Sequence, residues 1–319
     1  MSKPAINLLF LGGAKRVSMA RHFIAAAARR GLDCNIYSYE LSEREPIAAV
    51  AQVIKGLRWS DPAVVDDLRS LCARLGIHAV IPFVDGAVAV AAALSKDVFA
   101  PCCSADMAEA MFDKVVADDI FARAGLPRPR RWTPGIPLGA HLIAKPRHGS
   151  ASKGLVMIDS QEALTAIMPR IDDYLIQERI DRRAEYTVDC YVDRSGRPAI
   201  ISPRRRLEVS GGEVTRTVTV NMPAAVELVR RTLEATGLRG AVTVQLIEDL
   251  DNCRLMIMEI NPRLGGGAVC SVAARADLPG CIIAEALGEP VPACSPLPGV
   301  EIARYPMETV FMPGNNKPL

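Results

Sequence analysis

Two short stretches of the sequence hold residue types suited to handling phosphate. In Leu142-Ile-Ala-Lys-Pro-Arg-His-Gly-Ser-Ala-Ser-Lys-Gly-Leu-Val156 an apolar strand delivers Lys145. A loop rich in Gly149, Ser150, Ser152 and Gly154 follows, and a second strand returns. Small residues let backbone amides and hydroxyls close over phosphates, and the lysine adds a fixed positive charge. The lysine precedes the glycines and no helix follows directly, so this is not a P-loop; taken alone, a plain hairpin turn reads as well. The other stretch is Met256-Ile-Met-Glu-Ile-Asn-Pro-Arg-Leu-Gly-Gly-Gly267. Glu259 and Asn261 lie two apart on an expected strand and so share one face. Gln245 lies on the preceding strand, within Val242-Thr-Val-Gln-Leu-Ile247. Three oxygen donors on one sheet face suit a hard Mg²⁺ bridged to phosphates. A lone Glu or Asn on a strand is usually solvated, but Glu-x-Asn-Pro-Arg followed by three glycines is hard to explain as surface. Gly12-Gly13-Ala14-Lys15-Arg16, between a strand and a helix, is a weaker candidate for holding phosphate. It lacks the GxGxxG spacing, and Glu40, at the end of the second strand, stands where a dinucleotide fold would bind ribose. A tight turn with a solvated acid reads as well there.

The elements that must position these residues fall into two kinds. Over the first hundred residues, continuous apolar strands (Ile6–Leu11, Cys34–Tyr39, Ala79–Val84) alternate with helix patterns (Val17–Arg30, Val64–Leu75, Ala87–Leu94). That alternation predicts a parallel sheet covered on both faces, a Rossmann-like unit over residues 1–105. Ser104 caps a helix expected to run on through Met111, Val115 and Phe121 to Gly125. Leu126–Pro137, with four prolines, is an extended connector. Beyond it, strands joined by turns predict mainly antiparallel sheets in an α+β architecture, with helices near Gln161–Pro169, Ala224–Thr236 and Ser271–Leu287. The last dozen residues read as a loose tail.

Composition narrows the function. Of 319 residues, half are hydrophobic and 23% charged, enough for a sizeable core and too apolar for disorder. The 38 basic and 36 acidic side chains leave +2, which argues against nucleic acid or an anionic membrane as the main partner. Nine scattered cysteines without a CxxC pair read as reduced core residues in a cytoplasmic protein. The first apolar run leads into Gly-Gly-Ala-Lys-Arg rather than a cleavage site, and Ala79–Leu94 is too interrupted to span a bilayer.

With these motifs in hand the chain resembles the ATP-grasp superfamily, most closely its short carbamoyl-phosphate-synthase-like members. The resemblance runs in order through Asp113-Lys114, Lys145-Pro-Arg147, Gln177-Glu-Arg-Ile180, Glu185-Tyr-Thr-Val-Asp189, Gln245 and Glu259-Ile-Asn-Pro-Arg263. It implies a Rossmann-like pre-ATP-grasp domain (1–105) and a two-lobed ATP-grasp domain (106–319), with a lid lobe over about 135–179 and a large lobe over 180–308. By the resemblance, Lys114 and Lys145 contact ATP phosphates under a lid loop of Gly149, Ser150, Ser152 and Gly154. Glu178 reaches the adenine amino group, the backbone of Arg179 and Ile180 pairs with the adenine edge, and Glu185 holds ribose. Glu259, Asn261 and Gln245 hold Mg²⁺, or Mn²⁺ in its place; the superfamily more often has a carboxylate where Gln245 stands. Arg263 stabilises the transferred phosphoryl group. Arg204, Arg206 and Arg216, in an expected hairpin near the site, are candidates to clamp a substrate carboxylate, although charge runs are usually solvated.

The activity implied is ATP-dependent carboxylate–amine ligation: a small carboxylate, an amino acid or related metabolite, is activated as an acyl phosphate with release of ADP and then attacked by an amine. The alternatives are a thiol or hydroxyl acceptor, a nucleotide-binding regulatory protein without turnover, and an oxidoreductase that binds nicotinamide at Gly12-Gly13. Relatives of this fold often form dimers, so the resemblance allows a homodimer, although no stretch reads as an interface.

Overall fold

A computed structural model describes residues 3–136, 141–149 and 153–318. The first unit runs β1 (Ala5–Leu11), α1 (Val17–Arg29), β2 (Asp33–Glu40), β3 (Gln52–Lys55), α2 (Val64–Leu75), β4 (Ala79–Pro82) and α3 (Asp85–Leu94). Its four strands are parallel in the order β3-β2-β1-β4. Burial on both faces explains their unbroken apolar runs: Leu8 and Phe10 pack with α1, while Leu9 and Leu11 pack with α2 and α3. The chain leaves β1 toward β2 on one side and returns as β4 on the other. The β1–β4 boundary is therefore the topological switch point, where the loops diverge and leave a crevice at the strand ends. The four-residue β3 carries no pattern that sequence reasoning could register.

The expected single helix after Ser104 is two helices, α4 (Ala105–Phe112) and α5 (Lys114–Arg123). Asp113 breaks them with an extended backbone, ψ 103°, and its carboxylate accepts from the N–H groups of Val115 and Val116. The apolar stripe runs through the break, so periodicity could not reveal it. A three-stranded antiparallel sheet follows, β6-β5-β7, built from β5 (Leu142–Pro146), β6 (Val156–Ile158) and β7 (Tyr174–Glu178), with α6 (Gln161–Ile167) between β6 and β7. The six-stranded sheet has the order β12-β11-β8-β9-β10-β13. It comprises β8 (Arg183–Val192), β9 (Pro198–Ser210), β10 (Glu213–Thr219), β11 (Gly240–Asp249), β12 (Arg254–Asn261) and the short β13 (Glu301–Ala303); α7 (Pro223–Thr236) lies between β10 and β11. The expected helix over Ser271–Leu287 divides into α8 (Val269–Ala273) and α9 (Leu278–Ala286). Arg275, in left-handed backbone at φ 69°, and Asp277, which caps α9 at Gly280, separate them.

Strand alternation gives the large sheet two different faces. Val188 and Cys190, Val242, Val244 and Leu246 pack with Met111, Phe121 and Leu228 from the covering helices. The residues between them face the other way, toward the smaller sheet. Among the described residues no helix is long and apolar enough to cross a membrane.

Candidate active site

The space between the two antiparallel sheets is a cavity of about 370 Å³, the size of a small-molecule site. Its floor is built by alternation. Glu185, Thr187 and Asp189 point one way along β8, and Thr243, Gln245 and Ile247 point the same way along β11; Thr187 pairs with Gln245 and Asp189 with Thr243. On β9, Arg204 and Arg206 turn inward and Arg205 outward. β12 needs one more device. Its register with β11 shifts between Gln245–Glu259 and Leu246–Ile257, leaving Met258 unpaired in a β-bulge. Because of the bulge, Ile257 and Ile260 both join the helix-covered core, and Met258, Glu259 and Asn261 all line the cavity. Regular alternation from Met258 would have turned Glu259 and Asn261 into that core. The bulge also divides the floor chemically: Ile180, Ile247 and Met258 form an apolar end, backed by the buried Met256, and Gln245, Glu259 and Asn261 a polar one.

The smaller sheet supplies the opposing wall. Lys145 on β5 faces the cavity, and its Nζ donates to Gln177 Oε1 at 2.9 Å. Gln177 in turn donates to Asp118 at 2.9 Å, which fixes its amide. Desolvation lowers the Lys145 pKa to about 8; Glu259 opposes the shift and Lys114 adds to it. Lys114 begins α5 and donates through Nζ to the carbonyl of Gly149 at 2.7 Å, while its backbone N–H donates to Arg147. Arg147 is paired with Asp113 at 2.6 Å, so the helix break is tied directly to the strand that carries Lys145. Burial works against the Asp113 carboxylate, but hydrogen bonds from Arg147, Val116 and Val115 outweigh it and lower its pKa. Gly149 has φ 129°, a conformation that favours glycine, and lines the cavity. Gly154 does not line it, whereas its neighbour Lys153 does. Ser150 and Ser152 lie outside the described residues.

Several expected residues already have protein partners. Glu178 lines the cavity, but its carboxylate accepts from Arg130 N–H and Nε and from Arg254, at 2.9–3.0 Å. Burial would raise its pKa, and the arginine hydrogen bonds outweigh that and lower it. A carboxylate so engaged is held by arginines rather than presented to an adenine amino group. The Arg179 N–H donates to His141, so it is not free for a base edge; the Ile180 N–H has no acceptor among the described residues. Glu185 is paired with Arg183 at 3.0 Å and faces Arg206 at 3.5 Å. Arg263 lines the cavity in an ion pair with Asp85, the first residue of α3. Of the three candidate clamp residues, Arg204 and Arg206 line the cavity. Arg216 does not: it is half exposed, alternates to the other side of β10, and pairs with Glu301 at 2.5 Å and Glu208 at 3.3 Å.

Other cavity residues escaped sequence reasoning. Thr187 and Thr243 were readable from the alternation of β8 and β11. Arg304, paired with Glu213 at 3.2 Å, follows a three-residue strand without a pattern. Arg16 reaches the cavity from the loop after β1. Its motif was visible, but its destination depends on how the two units pack. That loop is not a free phosphate cradle, because the Glu40 carboxylate is buried beside it, accepts from Ser38 Oγ at 2.6 Å and lies toward the N–H groups of Gly13 and Ala14. Desolvation of Glu40 dominates these contacts and raises its pKa.

The residues present fit a polyanion with a divalent cation. Ten basic side chains and four acidic ones line the cavity, far from the near balance of the whole chain. Among the described residues, Thr187 Oγ1, Arg204 Nη1 and Arg206 Nε are buried without a hydrogen-bond partner, and all three residues face the cavity. Gln245, Glu259 and Asn261 offer oxygen donors from adjacent strands, with Glu259 opposite Gln245 and Asn261 opposite Thr243. One carboxylate and two amides suit Mg²⁺ that takes its remaining ligands from phosphates and water.

Residues 170–305 match a family described as ATP-grasp in the biosynthetic pathway with Ter operon. No curated protein sequence matches the chain. Among solved structures, the ADP complex of an N5-carboxyaminoimidazole ribonucleotide synthetase (purK) is similar at TM-score 0.73, 16% identity, 93% of this chain and 81% of that one. A biotin carboxylase from Campylobacter jejuni is similar at TM-score 0.71 and 16% identity, over 90% of this chain and 72% of that one. An L-amino acid ligase from Bacillus licheniformis is similar at TM-score 0.69 and 17% identity, over 90% and 75%. At these identities the likeness shows a shared fold. Residues 170–305 thus resemble an ATP-grasp family, and most of the chain shares the fold of these solved structures.

Proposed function

We propose that the protein is an ATP-dependent, ADP-forming ligase that joins a small carboxylate to an amine. The observation that carries this reading is the cavity itself: Lys114 and Lys145 face the oxygen donors Gln245, Glu259 and Asn261 across a space dominated by positive charge, and Arg263 stands beside Asn261. The similar structures include an ADP complex and an L-amino acid ligase, which supports a nucleotide and a small acid as its occupants. A carboxylate oxygen is a poor leaving group. Its attack on the γ-phosphorus of ATP breaks the bond to ADP and gives an acyl phosphate; attack of the amine nitrogen on the acyl carbon then expels phosphate and releases a proton.

In this reading Lys145 and Lys114 exchange their contacts with Gln177 and the Gly149 carbonyl for phosphate oxygens, and Arg263 meets the charge that develops on the transferred group. Glu259, with Asn261 and Gln245, would hold Mg²⁺, which would supply charge neutralisation at the phosphates. The apolar end formed by Ile180, Ile247 and Met258 takes the adenine ring, with the Ile180 N–H at its edge, and Glu185 takes ribose. Sheets on both sides exclude water, which would otherwise hydrolyse the acyl phosphate.

The test is release of ADP and phosphate from Mg-ATP across a matrix of amino acids, other small carboxylates and amines, with Lys145→Ala and Glu259→Ala as controls. Release that requires one acid–amine pair and falls at least about a hundredfold in each variant, the ~3 kcal/mol of a preorganised contact, supports the ligase. Full activity in either folded variant removes the site assignment. Tight Mg-ATP binding without release from any pair favours a regulatory nucleotide-binding protein.

A further inference from the structure

Of the basic groups lining the cavity that the proposed nucleotide contacts leave unused, Arg16 and Arg204 converge on one stretch of backbone. Arg16, after β1, lines the cavity, and the charges acting most strongly on it are Glu213, Arg263, Arg304 and Asp85. Its guanidinium makes no ion pair or hydrogen bond among the described residues. Arg204 is 2% exposed; Nε and Nη2 donate to Asp189 at 2.8 and 3.4 Å, and Nη1 is buried with no partner among the described residues. Both guanidinium groups end at the same backbone. A Cβ on Gly266 would stand 2.6 Å from Arg16 Nη1, and a Cβ on Gly267 would stand 2.8 Å from Arg204 Nη1. Two adjacent glycines thus let two cations converge where side chains would have kept them out.

This place lies apart from the lysines. The charges acting most strongly on Lys145 are Glu259, Lys114, Asp118 and Glu185, none of which is prominent for Arg16. It also lies at the switch point of the parallel sheet: Arg16 follows β1, Asp85 follows β4, and the crevice between these strand ends opens onto the cavity. An unpaired guanidinium beside a buried one with an unsatisfied N–H is costly unless an anion occupies the space.

We infer that Arg16 and Arg204 form a second anion subsite over Gly266–Gly267, and that the acid this protein activates carries a second anionic group, a carboxylate or a phosphoryl, which binds there. The inference rests on the ligase reading for the word substrate, but the subsite is testable without turnover. The reacting carboxylate sits toward Glu259 and Arg263, and the second anion anchors the other end of the molecule.

Calorimetric titration of the full chain saturated with Mg-ADP tests this with four probes: succinate and 2-phosphoglycolate, and their monoanionic counterparts butyrate and glycolate. At least one dianion is expected to bind tenfold or more tightly than its counterpart, and the stronger of the two identifies the second group. Arg16→Gln is expected to abolish that preference while leaving Mg-ADP affinity within twofold. Gly266→Ala, whose new methyl displaces the Arg16 guanidinium, is expected to reduce it as well, and thermal melting confirms that each variant is folded. Equal binding of dianions and monoanions by the unaltered protein overturns the subsite, as does a preference that survives Arg16→Gln. Failure of Mg-ADP to bind would instead remove the ligase reading, and the same titrations without nucleotide would still decide the subsite.

Discussion

Lys145 is the residue whose chemistry most depends on its surroundings. Desolvation lowers its pKa to about 8, so in the free protein it is a cation below that pH and a neutral amine above it. A phosphate ligand needs the cation and must recruit a proton once the pH exceeds 8. Mg-ADP affinity is therefore expected to fall above pH 8, approaching about tenfold per pH unit until the pKa of the complex is reached. Lys145→Met should bind more weakly and lose that slope; a flat profile in the unaltered protein would contradict the role. Individual residues were unevenly legible in the sequence. Lys145, Gln245, Glu259, Asn261 and Arg263 stand in dense motifs on strands, and all five line the cavity. Arg216 sat in an equally basic run, yet its strand turns it outward to Glu301 and Glu208. A charge run does not announce which of its members faces in.

At the scale of elements, the interruptions position the site. Asp113 splits what periodicity reads as one helix, caps α5, starts it at Lys114 and pairs with Arg147, the residue after the strand that carries Lys145. Asp113→Ala removes a cap and a half-buried ion pair, for an expected loss of about 1–2 kcal/mol in thermal or denaturant unfolding. Asp113→Asn retains the cap oxygen and should lose less than half of that. Equal losses in the two variants would show that the ion pair, rather than the cap, dominates. The bulge at Met258 is the other interruption. The sequence placed Glu259 and Asn261 on one face correctly, because two residues apart is one face on either side of a bulge. It could not show that Met258 joins them, since an extra residue in a strand leaves no trace in an apolar pattern that is already continuous.

For the whole molecule, strand and helix alternation foretold the parallel sheet, and turn-linked strands foretold the antiparallel ones. Their packing was not legible, because Arg16 meets the cavity, and Asp85 meets Arg263 at its wall, only through contacts between units distant in sequence. A ligand bound within this cavity draws on both antiparallel sheets and on the first unit, so it stabilises them together. Mg-ADP at a hundred times its dissociation constant is expected to stabilise the fold by about 2.7 kcal/mol and to raise the melting temperature accordingly, whereas NAD or NADP at the same concentration should not shift it. A shift with the dinucleotides alone would reverse the assignment. That contrast follows from Glu40, whose buried carboxylate lies toward the amides of Gly13 and Ala14. The chain carries its own anion where a dinucleotide fold would place a pyrophosphate. Swings in the ratio of oxidised to reduced nicotinamide should therefore leave the occupancy of this loop unchanged.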